Sequence, residues 1–190
     1  MSAIARSELS FADTPGERAA LERFIAERFF LAHGARIGHF CAHLLGLRDP
    51  LGRWQAAAGY TPASSGRLFL EHYLDRPVEQ ALAAAAGERI PREALAEVGN
   101  LATAAAGMGR ALIPAIGRHL HRLGYRWVAF TATRELRNAF RRLRLEPLEL
   151  APAAAARLPD GGAAWGSYYA HDPSVMAGRI AACLRCCEET

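Results

Sequence analysis

A carboxylate set in an apolar strand is the residue that most invites a chemical reading. Glu97 lies in LAEVGNLAT, 95–103, among small and aliphatic neighbours. Strand alternation puts Leu95, Glu97, Gly99 and Leu101 on one face. A carboxyl desolvated there has a raised pKa, suited to taking a proton from an amine. The other use of such a group is a structural hydrogen bond to a loop or an arginine. Asn100 is a candidate substrate contact, or else the occupant of a bulge. Immediately downstream, AAAGMG at 104–109 places Gly107 and Gly109 where a strand gives way to a helix. The first N–H groups of a helix have no internal partners and suit a phosphate. That makes Gly107, Met108, Gly109 and Arg110 candidate contacts for one.

Other reactive side chains form smaller groups. Glu71, His72 and Tyr73 are consecutive and suit the lining of an acceptor pocket. Tyr168 and Tyr169 follow a glycine-rich loop and Trp165, where a late loop can close over a site. The arginines 134, 137, 141, 142 and 144 crowd one expected helix, and such a run is chiefly a solvated face. Cys183, Cys186 and Cys187 crowd the end of the chain. Zinc needs about four ligands, and no second pair sits at finger spacing. His119 and His121 are two apart on a helix and point in different directions. No metal is expected.

The elements that must position these groups follow from periodicity. Residues 15–33 carry Leu21, Phe24, Ile25 and Phe29 at helical spacing, between Pro15 and Gly34. The runs 41–48 and 54–60, around DPLG, predict a β-hairpin. Residues 68–74 are ambiguous between strand and helix, and Pro77 opens a helix that Gly87 closes. After the strand at 95–103, the stripe Met108, Leu112, Ile116, Leu120 and Leu123 predicts a helix over 108–123. Gly124 ends it, and Pro114 disturbs its first turns. RWVAFTAT, 126–133, is a nearly continuous apolar strand, as expected where both faces are covered. Thr133 caps the next helix, with Glu135 in its first turn. EPLELAP, 146–152, is a last strand, and 153–190 is loop-rich. A strand–helix–strand unit crosses over right-handed, so the strands at 95 and 126 are expected to be parallel neighbours or near neighbours.

Composition narrows the class. At 190 residues the chain suits one domain with a proper core. Its net charge of +4 is carried by arginine alone, since the sequence contains no lysine. That is a compositional habit, and no nucleic-acid partner is expected. There is no apolar leader, and no run approaches the ~18 apolar residues of a spanning helix. The cysteines form no framework across the chain. The expectation is a cytoplasmic protein with reduced thiols and no membrane partner. No feature sets the oligomeric state.

The succession over 95–133 resembles the Gcn5-related N-acetyltransferase (GNAT) fold. The resemblance implies an α/β (α+β) architecture: a GNAT-like mixed central sheet with a splayed parallel strand pair, flanked by helices. It implies that the glycine loop holds the pyrophosphate of coenzyme A while pantetheine lies between the strands. Arg137 becomes a candidate for a coenzyme phosphate. The family loop reads Gln/Arg-x-x-Gly-x-Gly/Ala; Gly107 and Gly109 match, and Ala104 stands at the leading position. In many members a tyrosine four residues before Gly-Phe protonates the leaving thiolate. Here Phe140 occupies that place and Arg144-Leu145 replaces Gly-Phe, so Tyr168 and Tyr169 are the candidate substitutes.

The phrases LLGLRDPLGRWQAAAGY, LFLEHYLDRPVE, EVGNLA, WVAFTATRELRNAFRRL and WGSYY are similar to the thermostable hemolysin family, in order from 44 to 169. Together the two resemblances imply one GNAT-like domain over 1–175 and a C-terminal tail over 176–190. They imply an N-acyltransferase that moves an acyl group from a coenzyme A or acyl-carrier-protein thioester to a small amine, with Glu97 as base. The alternatives are a non-catalytic binding protein of the same fold, or a membrane-active hemolysin as the family name implies.

Overall fold

The computed structural model describes residues 9–105, 107–142 and 144–188, with the backbone alone at Arg110 and at 186–188. The chain opens with a short strand, β1 (Leu9–Phe11), and a long helix, α1 (Pro15–His33). Thr14 and Glu17 form a reciprocal capping box at the start of α1, and Gly34 ends it at φ 67°. The expected hairpin is present as β2 (His43–Arg48) and β3 (Trp54–Pro62). Residues Phe69–Tyr73, ambiguous in sequence, form a 3-10 turn before α2 (Val78–Ala86).

The strand–helix–strand unit is β4 (Leu95–Thr103), α3 (Gly109–Arg122) and β5 (Trp127–Ala132). Then come α4 (Arg134–Arg142) and β6 (Leu148–Pro152). Leu112, Ile116 and Leu120 of the α3 stripe are buried, but Leu123 is exposed, because the helix has ended by Arg122.

The end of the chain corrects the sequence reading. Residues 174–188, expected as loop and tail, form a strand and a helix that belong to the fold. Ser174–Arg179 form β7, which pairs with both β5 and β6, and Ile180–Glu188 form α5. The described residues thus build one seven-stranded sheet in the order β1-β2-β3-β4-β5-β7-β6. All pairs are antiparallel except β4 with β5.

Two layers cover this sheet. Leu68, Leu70, Leu82, Leu95, Trp127 and Ala177 pack on the face under α2, which α1 extends through Leu21, Ile25, Leu44 and Ala57. Leu45, Leu47, Leu112, Ile116, Leu120 and Ile180 pack on the opposite face under α3 and α5. Burial of such aliphatic side chains, each contributing about 2 kcal/mol, holds the two layers to the sheet.

Two irregularities open the middle. β4 and β5 pair only at Leu95↔Trp127, Ala96↔Val128 and Glu97↔Ala129; beyond Glu97 they part. In the β3–β4 pair, Ala57 faces Ala102 and Gly59 faces Gly99, so Asn100 and Leu101 together oppose Ala58. Asn100 takes φ 54° at this bulge. A bulge bends its strand, and here it stands where β4 leaves β5.

Candidate functional site

The parted strands enclose a cavity of about 680 Å³ that passes through the sheet. On the α3 side its wall includes Gly107, Gly109, Ile113, Ile116, Phe130, Phe140 and Ile180. On the α1 side it includes Phe29, His33, His39, Phe69, Tyr73, Trp165 and Tyr168. Glu97 lies between these walls, at the last paired position of β4 and β5.

Glu97 is 7% exposed, and its carboxylate accepts hydrogen bonds from the amides of Phe69 (2.9 Å) and Leu70 (3.1 Å). Burial pushes its pKa up, the two amides oppose that, and the nearby charge of Glu71 adds to the rise. The result is about 7. The structural use is thus present, since the carboxylate fixes the 68–70 loop, and burial brings its pKa toward neutrality.

The glycine loop follows β4. Gly107 has φ 89°, a region that favours glycine, and the space around both Gly107 and Gly109 is open. Met108 is the N-cap of α3 and offers no side-chain cap, so nothing from that residue competes for the first amides of the helix. The Met108 side chain packs in the core on the α3 face. The Arg110 side chain lies outside the described residues.

The remaining sequence candidates divide. Tyr73 and Tyr168 line the cavity; Tyr169 stands behind, its hydroxyl 2.7 Å from that of Tyr73. Burial raises the pKa of both Tyr73 and Tyr168, so each phenol stays protonated at neutral pH. Asn100 lines the cavity, but its side chain is engaged. Its oxygen accepts from the Cys41 amide (2.8 Å) and its nitrogen donates to the His39 carbonyl (3.2 Å).

Glu71 is not a cavity residue. It accepts from the amides of Leu68 and Val78 and from Arg92, a structural hub made necessary by its burial. His72 also lies off the cavity, beside Phe69, its carbonyl taking the Arg157 guanidinium. Arg137 is likewise drawn away from a coenzyme role, since its guanidinium donates to Asp172 and to Ser174 Oγ. Phe140 is buried against Phe130, so the place of the family tyrosine holds a ring without a hydroxyl.

The aromatic wall was not foreseen as a unit. Phe69 and Trp165 stood in stretches already noted, but only tertiary contact joins them, at 5.7 Å between ring centroids. His39 stacks on Phe69 at 4.7 Å. Loop 163–167 is held to the end of α1 by Arg36 N donating to Ala164 O (2.7 Å) and Ser167 N donating to His33 O (2.8 Å). Among the described residues, no cluster of three or more His, Cys, Asp or Glu side chains is placed for a metal ion.

Solved structures share this architecture. An N-acyl amino acid synthase from uncultured soil microbes, FeeM, superposes with a TM-score of 0.65 at 14% identity, over 94% of this chain and 92% of that one. A CoA-dependent acyl-homoserine lactone synthase, MesI, gives a TM-score of 0.58 at 16% identity, over 96% and 94%. A GCN5-related N-acetyltransferase from Kribbella flavida gives a TM-score of 0.53 at 16% identity, over 90% and 96%. The fold is GNAT-like. No curated protein matches the chain. The thermostable hemolysin family profile matches residues 12–184, nearly the whole of the fold just described, and the chain belongs to that family.

Proposed function

We propose that this protein is an N-acyltransferase that moves an acyl group from a coenzyme A or acyl-carrier-protein thioester to a small amine. The observation that carries this reading is the parting of β4 from β5 directly after Glu97, with the resulting cavity reaching the Gly107–Gly109 loop. The cavity and loop together support a thioester arm as the donor. The loop offers open backbone and an uncapped helix start for the pyrophosphate, and the gap offers a channel for the arm. Fold neighbours that are acyl-homoserine lactone and N-acyl amino acid synthases support the same direction.

In this reading Glu97, ionised, takes a proton from the entering ammonium. The amine attacks the thioester carbonyl. The developing oxyanion is held by amides of β4 beyond Glu97, whose β5 pairing has ended. Tyr73 and Tyr168 line the cavity as protonated phenols and supply the proton to the leaving thiolate in this reading. The Phe140 ring favours a second reading, a non-catalytic member that binds a ligand in the same cavity.

Replacing Gly107 tests the donor site. Gly107→Val forces a branched side chain into φ 89° and projects it into the open loop. Octanoyl-CoA binding by calorimetry should be lost while the far-ultraviolet spectrum is kept. An unchanged affinity removes the loop from the donor site.

A further inference from the structure

The α1-side wall of the cavity is made of rings. Trp165 lies 5.2 Å from Tyr168, 5.7 Å from Phe69 and 6.2 Å from Phe29, centroid to centroid. Phe69 meets Tyr73 edge-on at 6.2 Å. The wall ends at Glu97, because the amide of Phe69 itself donates to that carboxylate. The opposite wall is mostly aliphatic and small, with Ile113, Ile116 and Ile180, and its two rings, Phe130 and Phe140, pack on each other at 5.1 Å. The two walls therefore differ in how many rings they present, and the larger aromatic group lies on the side where Phe69 bonds Glu97.

Charge sharpens the picture. Glu97 and Glu135 both line the cavity, Glu135 with one oxygen bonded to His171 Nδ1 (3.1 Å). Among the described lining residues the one guanidinium is Arg179, and it donates to Glu88 (2.8 Å) and covers the Trp127 ring (4.5 Å). The histidines on this side, His33 and His39, have pKa values lowered chiefly by burial, so they face the cavity as neutral rings. An ammonium finds π-faces and carboxylates here. Among the described lining residues a carboxylate finds no unengaged guanidinium and would be desolvated without a partner.

We propose that the aromatic mouth binds a primary arylalkylamine, an amine whose body is a flat ring and which bears no carboxylate, and that this is the acyl acceptor. The acceptor role rests on the acyltransferase reading; the binding site does not. The rings already touch one another at these spacings, and their remaining faces and edges toward the cavity offer a surface on which a further aromatic ring packs. Because the Phe69 amide bonds Glu97, a ring packed on this wall needs only a short tether to bring its nitrogen to the carboxylate. The ammonium gives one proton to Glu97, its nitrogen forms the C–N bond, and the C–S bond breaks. The leaving sulfur takes a proton from Tyr73 or Tyr168, which the nitrogen's second proton replaces, so the products are an amide and a free thiol.

The test compares phenethylamine, phenylalanine and hexylamine on the full chain. Calorimetry should show phenethylamine binding about tenfold more tightly than either of the others. Equal or weaker binding overturns the proposal. Trp165→Leu and, at a half-buried helix position, Phe29→Leu should each weaken phenethylamine about fivefold and leave hexylamine within about twofold. If both variants fold, as thermal melts will show, and neither changes phenethylamine, the ring wall is not the site. Thiol release from octanoyl-CoA, followed with each amine, separates the two readings. Transfer that prefers hexylamine or phenylalanine overturns the arylalkylamine as acceptor. No transfer to any amine, with tight phenethylamine binding retained, overturns the enzyme and supports the binding site.

Discussion

Two buried glutamates, Glu71 and Glu97, are equally hidden from solvent at 7% exposure and have opposite chemistry. Burial works against the charge of each. At Glu71 the bonds from Arg92 and from the amides of Val78 and Leu68 outweigh burial, and the carboxyl titrates below its usual range. At Glu97 two amides do not outweigh it, and the carboxyl is held up at about 7. The difference is the guanidinium. A buried carboxylate with a cation is part of the frame; one without a cation keeps a proton it can exchange.

Removing the cation should break the contrast most visibly. Arg92 donates to Glu71 at 2.8 Å and to the Ala63 carbonyl at 2.7 Å, tying the turn at Phe69–Tyr73 to the start of β4. Arg92→Met should cost about 3–5 kcal/mol in denaturant unfolding, because Glu71 is left buried and charged. Adding Glu71→Gln should restore part of that loss. A cost below about 1 kcal/mol would assign Glu71 a partner other than Arg92.

The opposite glutamate should matter more to turnover than to stability. Glu97→Gln removes the basic oxygen and is expected to lower acyl transfer about 10²-fold or more. It also turns an amide group toward the Phe69 or Leu70 N–H, losing one hydrogen bond worth about 1 kcal/mol. The pH dependence has a definite sign. Folded Glu97 keeps its proton to about pH 7, while an unperturbed carboxyl releases it near 4.5. Stability linked to that proton is complete below about 4.5 and is lost as pH rises through about 7. Turnover should rise over the same interval, because the base must be ionised. Wild-type melting temperatures that gain on those of the Gln variant as pH rises from 5 to 8 would contradict the raised pKa.

Much of this frame was legible in the chain. A carboxylate within an apolar strand, followed by small residues and a helical stripe, located Glu97, the β4–β5 unit and its loop. Glu71 was misassigned because its neighbours His72 and Tyr73 look reactive, while the partner that decides its role, Arg92, is 21 residues away. The partner of Arg137 was hidden for the same reason, with Asp172 35 residues on. β7 was hidden by topology. It inserts between β5 and β6 although it follows both, and it runs into α5 without a turn signal, since Arg179 ends one and Ile180 begins the other.

Asn100 offers a smaller test of how Glu97 is presented. Its side chain ties β4 to 39–41, and its φ of 54° forms the bulge where the strands part. Asn100→Gly keeps the backbone and loses both bonds, whereas Asn100→Val also opposes the left-handed conformation. Unfolding should show costs of about 1 kcal/mol for glycine and about 2–3 kcal/mol for valine. If valine costs no more than glycine, the bulge is not held by this residue.

The least effect is expected on membranes, and the reason again lies in what is already partnered. Arg134, Arg141 and Arg142 of α4 are exposed, which alone would suit an anionic bilayer. Lipid insertion also needs a free apolar face. On α4 that face is formed by Leu136 and Phe140, which pack against Ile113, Phe130 and Met176 inside the fold. Among the described residues, no helix is long and apolar enough to cross a membrane. Exposing Leu136 and Phe140 would open the wall of the cavity, so membrane insertion and an intact site compete for the same side chains. Purified protein at about micromolar concentration should therefore leave dye-loaded anionic vesicles and erythrocytes intact. Leakage that rises with dose and is abolished by Phe140→Asp without loss of the fold would show that α4 leaves the core, and would restore the literal sense of the family name.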